Sequence, residues 1–195
     1  MEKFTTLIST AVPLPVDNID TDQIIPARFL KAVERSGFGE NLFRDWRFDE
    51  TGSPKKDFIL NNPSWSGKIL VAGENFGSGS SREHAAWALF DFGFRVIIAS
   101  SFADIFRNNA LNNGLLVVEV PGSFLSELND CLAKDPQTLI QVDLGKQTVI
   151  NMKTGNLIYF EINTYKKNCL EKGFDDIDYL LSIKDKIESF EKMNS

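Results

Sequence analysis

The stretch Ile69-Leu70-Val71-Ala72-Gly73-Glu74-Asn75-Phe76-Gly77-Ser78-Gly79-Ser80-Ser81-Arg82-Glu83-His84-Ala85-Ala86-Trp87-Ala88-Leu89-Phe90 changes character twice. Its first four residues are a short apolar run ended by glycine, the pattern of a buried strand. A turn rich in glycine and serine follows. From Arg82 to Phe90 the residues favour a helix, with a serine available to cap its start and Gly93 to end it. Arg95 to Ala99 predicts a second strand, residues near 102–112 a second helix, and Leu115 to Val120 a third strand. Strand, helix, strand, helix, strand is the order of a parallel sheet built from right-handed crossovers.

On either side of this unit the pattern differs. Beyond Pro121, Phe124 to Ala133 predicts a short helix, followed by apolar runs separated by Gly145-Lys146 and Thr154-Gly155-Asn156. Those runs read as antiparallel strands joined by tight turns. Ile177, Leu180, Leu181, Ile187 and Phe190 fall at helical spacing and predict an amphipathic helix packed on the body. Residues 44–66 read as an irregular surface segment with aromatic anchors. The expectation is one domain over 1–195, with a core at about 1–165 and a helical tail at about 166–195.

The chain has 195 residues, enough to bury roughly 70% of its unfolded surface without disulfides or metal. Its net charge of −6 argues against a nucleic-acid partner held by phosphate neutralisation. No apolar run approaches the roughly 20 residues that span a bilayer, and Met1-Glu2-Lys3-Phe4 does not open a signal peptide. A cytoplasmic protein without a membrane partner is expected. Cys131 and Cys169 lie far apart and His84 is the sole histidine, so no metal site is legible, and cluster or zinc chemistry would have to come from another chain.

The turn after Ala72 is the place for chemistry. Gly77 and Gly79 allow a sharp turn and close approach of a ligand. The amides opening the next helix carry partial positive charge, which suits an anion. Ser80 and Ser81 add hydroxyls, and Arg82 adds a planar fork matched to carboxylate or phosphate. Read from the residues alone, this is an anion site beside serines, one of which could act as nucleophile or base. Three competing readings are a plain tight turn, a dinucleotide site and a serine hydrolase. The dinucleotide fingerprint fails because Arg82 stands where the third glycine belongs and no acid ends the next strand. The hydrolase reading lacks the Gly-x-Ser-x-Gly elbow, and a Walker loop is absent.

Asn75-Phe76-Gly77-Ser78-Gly79-Ser80-Ser81-Arg82-Glu83-His84-Ala85-Ala86 resembles the signature of the mobile swivelling domain of the aconitase superfamily. Asp17-Asn18-Ile19-Asp20-Thr21-Asp22-Gln23-Ile24-Ile25-Pro26-Ala27-Arg28-Phe29-Leu30 resembles the matching segment in small subunits of bacterial 3-isopropylmalate dehydratases, also called isopropylmalate isomerases. Gly37-Phe38-Gly39-Glu40-Asn41-Leu42-Phe43 and Asp45-Trp46-Arg47-Phe48 follow in the same style. The resemblance spans essentially the whole chain.

It implies an α/β fold, a three-layer β/β/α swivelling domain with parallel central strands and antiparallel additions. It implies a large partner subunit that holds a 4Fe–4S cluster, with no cofactor on this chain. By position in the motif Ser80 is the base and Asp22 an active-site acid. Ser81 and Arg82 are expected to support and bind a substrate carboxylate, with Arg28 and Arg35 as candidates for a further substrate arginine. Glu83 and His84 are assigned to helix structure. The implied substrate is isopropylmalate, with homocitrate-type 2-hydroxy acids, or plain anion binding without catalysis, as alternatives. Phe29, Leu30, Ala32 and Val33 offer an apolar wall for an isopropyl group.

Overall fold

The apolar runs at 69–72 and 96–99 are buried at every position, which only a sheet covered on both faces permits. The computed structural model describes residues 1–30, 37–80 and 82–193. Its strands are β1 (Thr6–Ser9), β2 (Ala11–Leu14), β3 (Ile69–Ala72), β4 (Val96–Ala99), β5 (Leu116–Glu119), β6 (Ile140–Asp143), β7 (Thr148–Asn151) and β8 (Leu157–Tyr159). Its helices are α1 (Thr21–Ile24), α2 (Arg44–Arg47), α3 (Glu83–Phe92), α4 (Asp104–Asn112), α5 (Gly122–Lys134), α6 (Thr164–Lys172), α7 (Asp176–Ser182) and α8 (Lys184–Met193).

Strands β2-β3-β4-β5 form a wholly parallel sheet in that order, and β1-β6-β7-β8 form an antiparallel one. Only Thr10 separates β1 from β2, so a single residue carries the chain from one sheet to the other. The antiparallel sheet buries one face, with Ile140, Val142 and Val149 inward. Together with the helices this is the expected three-layer α/β architecture.

The amino-terminal strands are not legible in the sequence. Pro13 interrupts β2 and cannot donate to a ladder, a defect tolerated because β2 is the edge strand. β1 exists because β6, more than 130 residues later, pairs with it (Thr6 against Asp143). Helix α3 ends at Gly93, whose φ of 118° lies in the left-handed region and whose amide reaches back to Leu89 and Phe90. Its start differs from expectation. The N-cap position is Arg82, extended, with no capping side chain. The serine turn is held instead by the amino-terminal segment, through Ile19 and Thr21.

The carboxyl end also departs from the expected single packed helix. Gly173, at φ 72°, ends α6, and Asp175 opens α7 with a capping box. α6 packs on the body through the buried Cys169 and Leu170, and α7 meets α6 through the edge-on Tyr165–Tyr179 pair. Ile177 and Phe190 remain 68% and 65% exposed, and Leu180 and Leu181 are likewise open to solvent.

Residues 37–61 brace α3. Gly39 has no room for a Cβ, which would lie 2.6 Å from the Phe92 nitrogen, and its amide donates to Asp91 Oδ2 at 2.8 Å. Phe43 is buried at a positive φ of 48°, stacked on Trp46 and tilted against Phe58. These are the aromatic anchors of the irregular segment.

Candidate active site

Loops leaving the carboxyl ends of β2, β3 and β4 converge, the place where ligands bind in parallel α/β sheets. After β3, the amide of Asn75 donates to Ser101 Oγ at 2.8 Å and that of Phe76 to the Ser101 carbonyl at 3.1 Å. On the other side, the amides of Gly77 and Ser78 both donate to the Ile19 carbonyl, at 2.8 and 3.0 Å. The Thr21 amide then donates to the Ser78 carbonyl at 2.9 Å, and the Thr21 hydroxyl to the Ser80 carbonyl at 3.0 Å. Asn18 and Asn75, both at positive φ, are joined by a 2.9 Å side-chain bond. Asparagine tolerates that backbone region better than most residues.

The glycines are required here. Gly77 sits at φ 78°, and a Cβ would fall 2.2 Å from Cγ of Phe106, which packs edge-on to Phe76. Gly79 sits at φ 90°, and a Cβ would meet the Asp20 carboxylate at 2.2 Å. Asp20 itself is the N-cap of α1, accepting the Asp22 amide at 2.6 Å, while the Asp20 amide donates to Gln23 at 2.8 Å. The turn therefore closes tightly over the capped start of α1.

Ser80 is exposed at the head of this turn, and Arg82 is directed at Asp22. The Arg82 side chain is only 16% exposed while that of Asp22 is 52% exposed. Hydrogen bonding from Arg82 holds the Asp22 carboxyl below the usual carboxylate range, against a smaller opposing effect of burial. Asp20 adds a longer-range attraction to the Arg82 guanidinium, and Asp22 is the side chain that hydrogen-bonds it.

Of the expected site residues, Ser80, Asp22 and Arg82 share this place. Arg28 makes a two-pronged pair with Asp45 that lines a cleft with Arg44, Phe48 and Lys55, while the amide of the preceding Ala27 bonds the Asp22 carboxylate. Ser81 and Arg35, with Lys31 to Ser36 around the latter, lie outside the described residues. His84 packs between Phe38 and Trp87, with ring centroids at 5.3 and 4.6 Å. Asn113 bridges Glu83 and Trp87 through bonds of 2.9 Å each. Among the described residues no three His, Cys, Asp or Glu side chains converge in a set that could hold a metal ion, and no helix is long and apolar enough to cross a membrane.

Thr21, Asp20, Asn18 and Ser101 escaped the sequence reading as parts of this site. The Asp20-Thr21-Asp22 run hinted at the first two alone, and local turn chemistry explains such a run equally well.

The class is set by the family described as aconitase C-terminal domain, which matches residues 1–123. The chain is 59% identical over 192 residues to the 3-isopropylmalate dehydratase small subunit of Cytophaga hutchinsonii, covering 98% of this chain and 96% of that one. It is 58% identical to the protein of the same name from Azobacteroides pseudotrichonymphae, covering 98% of each. Among solved structures, the 3-isopropylmalate dehydratase from Methanocaldococcus jannaschii superposes with a TM-score of 0.67 at 27% identity, over 95% of this chain and 99% of that chain. The chain belongs to the family of 3-isopropylmalate dehydratase small subunits, within the aconitase superfamily.

Proposed function

We propose that this chain is the proton-transferring half of a cytoplasmic two-chain hydro-lyase of leucine biosynthesis, which converts 2-isopropylmalate to 3-isopropylmalate through 2-isopropylmaleate. The observation that carries the reading is an exposed Ser80 in a turn hydrogen-bonded at the ends of parallel strands, beside the guanidinium of Arg82. On this reading the 4Fe–4S cluster is held by the large partner subunit, which the small-subunit name of the relatives supports. When bound there, the cluster supplies a Lewis acid for the substrate hydroxyl and a carboxylate.

On this chain Arg82 binds a substrate carboxylate through the part of its fork that Asp22 does not use. Ser80, as alkoxide, takes the proton from the methylene carbon while hydroxide departs from the neighbouring carbon, leaving the unsaturated diacid. Re-addition runs in the opposite sense. Hydroxide joins the former methylene carbon, and the proton held on Ser80 Oγ goes to the carbon bearing the isopropyl group. Ser81, Arg35 and Arg28 are further candidates for carboxylate contacts, Arg28 only if it leaves Asp45. Closing the two chains over the substrate excludes bulk water from these steps.

The test is anaerobic reconstitution. Purified alone, the chain is expected to bind no iron and turn over no isopropylmalate; with the large subunit it should do so. Robust isomerase activity from this chain alone would overturn the two-chain reading.

A further inference from the structure

Ser80 directly follows Gly79, which stands at φ 90° against the Asp20 carboxylate. Among the described residues Ser80 has one hydrogen bond, in which its carbonyl accepts the Thr21 hydroxyl at 3.0 Å. Thr21 is 1% exposed, whereas Ser80 is open to solvent. The bond therefore joins a buried donor to an exposed residue.

The surrounding ladder shows why a side chain is used. β2 and β3 pair in parallel, and the pairing continues past their ends to an isolated bridge between Asp20 and Ser78. At Thr21 the amino-terminal segment turns into α1, and its backbone can follow the serine turn no further. The last rung, one residue pair beyond the Thr21 amide bond to Ser78, is supplied by the Thr21 hydroxyl. The neighbours of Thr21 act on the same turn, with the Asp20 carboxylate against Gly79 and that of Asp22 on Arg82.

We propose that Thr21 is a positioning residue of the reaction, its hydroxyl fixing the Ser80 backbone so that Oγ meets the substrate carbon in one place. The inference rests on Ser80 as the base. It touches neither substrate nor the Ser80 hydroxyl, so its loss should misplace the base without weakening carboxylate binding. Misplacement by about 1 Å costs on the order of 100-fold in rate.

The experiment uses the reconstituted two-subunit enzyme with Thr21→Ser, Thr21→Ala and Thr21→Val. Serine and alanine both lack the methyl group and differ only in the hydroxyl, whereas valine keeps the branched shape without it. Thr21→Ala and Thr21→Val are expected to lower kcat about 10- to 100-fold with KM within about threefold, and Thr21→Ser to stay within about threefold of the parent in both. Equal kcat for the serine and alanine variants would overturn the proposal. So would a loss confined to assembly with the large subunit, seen as failure to co-elute, because Thr21 would then be structural only. Ser80→Ala measured alongside separates the two readings: if it keeps turnover, the base assignment falls, whatever the Thr21 series shows.

Discussion

Nη1 of Arg82 donates to Oδ1 of Asp22, sixty residues earlier in the chain, and so ties the start of α3 to the first turn of α1. The pair does two things at once. It aims a guanidinium across the mouth of the serine turn, and it leaves that guanidinium's remaining donors for a ligand. Arg82→Lys keeps the charge and loses the planar fork, so KM for isopropylmalate should rise about tenfold or more, with a smaller fall in kcat. Steady-state kinetics of the reconstituted enzyme decide it; an unchanged KM removes Arg82 from carboxylate binding.

The same pair gives a pH prediction. The folded carboxyl of Asp22 titrates below its unfolded value because Arg82 bonds its ionised form. Its contribution to stability is therefore fully present above the unfolded carboxylate value, near 3.9, and is lost as pH falls through the lower folded value. Asp22 is half exposed, so the contribution is at most about 1 kcal/mol. Urea unfolding of Asp22→Asn and the parent should differ by that amount at pH 7 and converge towards pH 3. A gap that widens with acid contradicts the sign.

Ser80→Ala should lower kcat by several orders of magnitude with KM and complex assembly nearly unchanged, since a base acts mainly in the transition state. The side chain is exposed and its hydroxyl makes no bond among the described residues, so the fold has no reason to respond. Near-normal turnover would exclude Ser80 as the base.

Gly77→Ala tests the turn itself. Left-handed backbone costs an alanine about 1–2 kcal/mol. The added methyl would also overlap the Phe106 ring, 2.2 Å from Cγ. Stability by urea unfolding should fall by at least that amount, and activity should fall with it because the turn must shift. A variant as stable and active as the parent would show that the turn tolerates a side chain.

Far from the site, Glu127 on α5 accepts bonds from Asn151, Thr154 and Asn156 and ties the β7–β8 turn to the helix. Those bonds hold its carboxyl below the usual range. Glu127→Ala leaves the buried Asn151 amide short of a partner, at a cost of about 1–3 kcal/mol. Thermal unfolding should register that loss while kcat stays unchanged; an equal loss of activity would place the turn nearer the chemistry than its contacts do.

Specificity can be tested in the segment after Pro26. One methylene of misfit in an apolar pocket is worth about 1–3 kcal/mol, so methylmalate, two methylenes smaller, should lose about 2–6 kcal/mol in kcat/KM and still react measurably. A third carboxylate without a cation partner should be rejected far more strongly. Comparing kcat/KM for isopropylmalate, methylmalate, citrate and homocitrate, then again with Leu30→Arg, reads this directly. A preference of the parent for citrate or homocitrate would overturn the substrate assignment and leave the family placement standing.

The parallel core and the serine turn were legible because their signals are local. Four consecutive apolar residues at 69–72 and 96–99 can only be buried on both faces, and Gly77 and Gly79 are placed where the backbone needs positive φ. Family motifs at 17–30 and 75–86 marked Ser80, Asp22 and Arg82 without any knowledge of distance. What tertiary structure alone decided is long-range. β1 acquires strand character from β6, Pro13 is harmless because β2 falls at an edge, and Arg28 closes on Asp45. The tail shows the same limit. Its apolar spacing over 177–190 is helical, yet the chain leaves helix at Ile183, the C-cap of α7, and Ile177, Leu180, Leu181 and Phe190 on the two pieces stay open to solvent. Periodicity reports which face of a helix is apolar; whether a surface exists to receive that face depends on residues far away in sequence. Thr21 is the clearest case, since its hydroxyl matters only because folding brings the Ser80 carbonyl to within 3.0 Å of it.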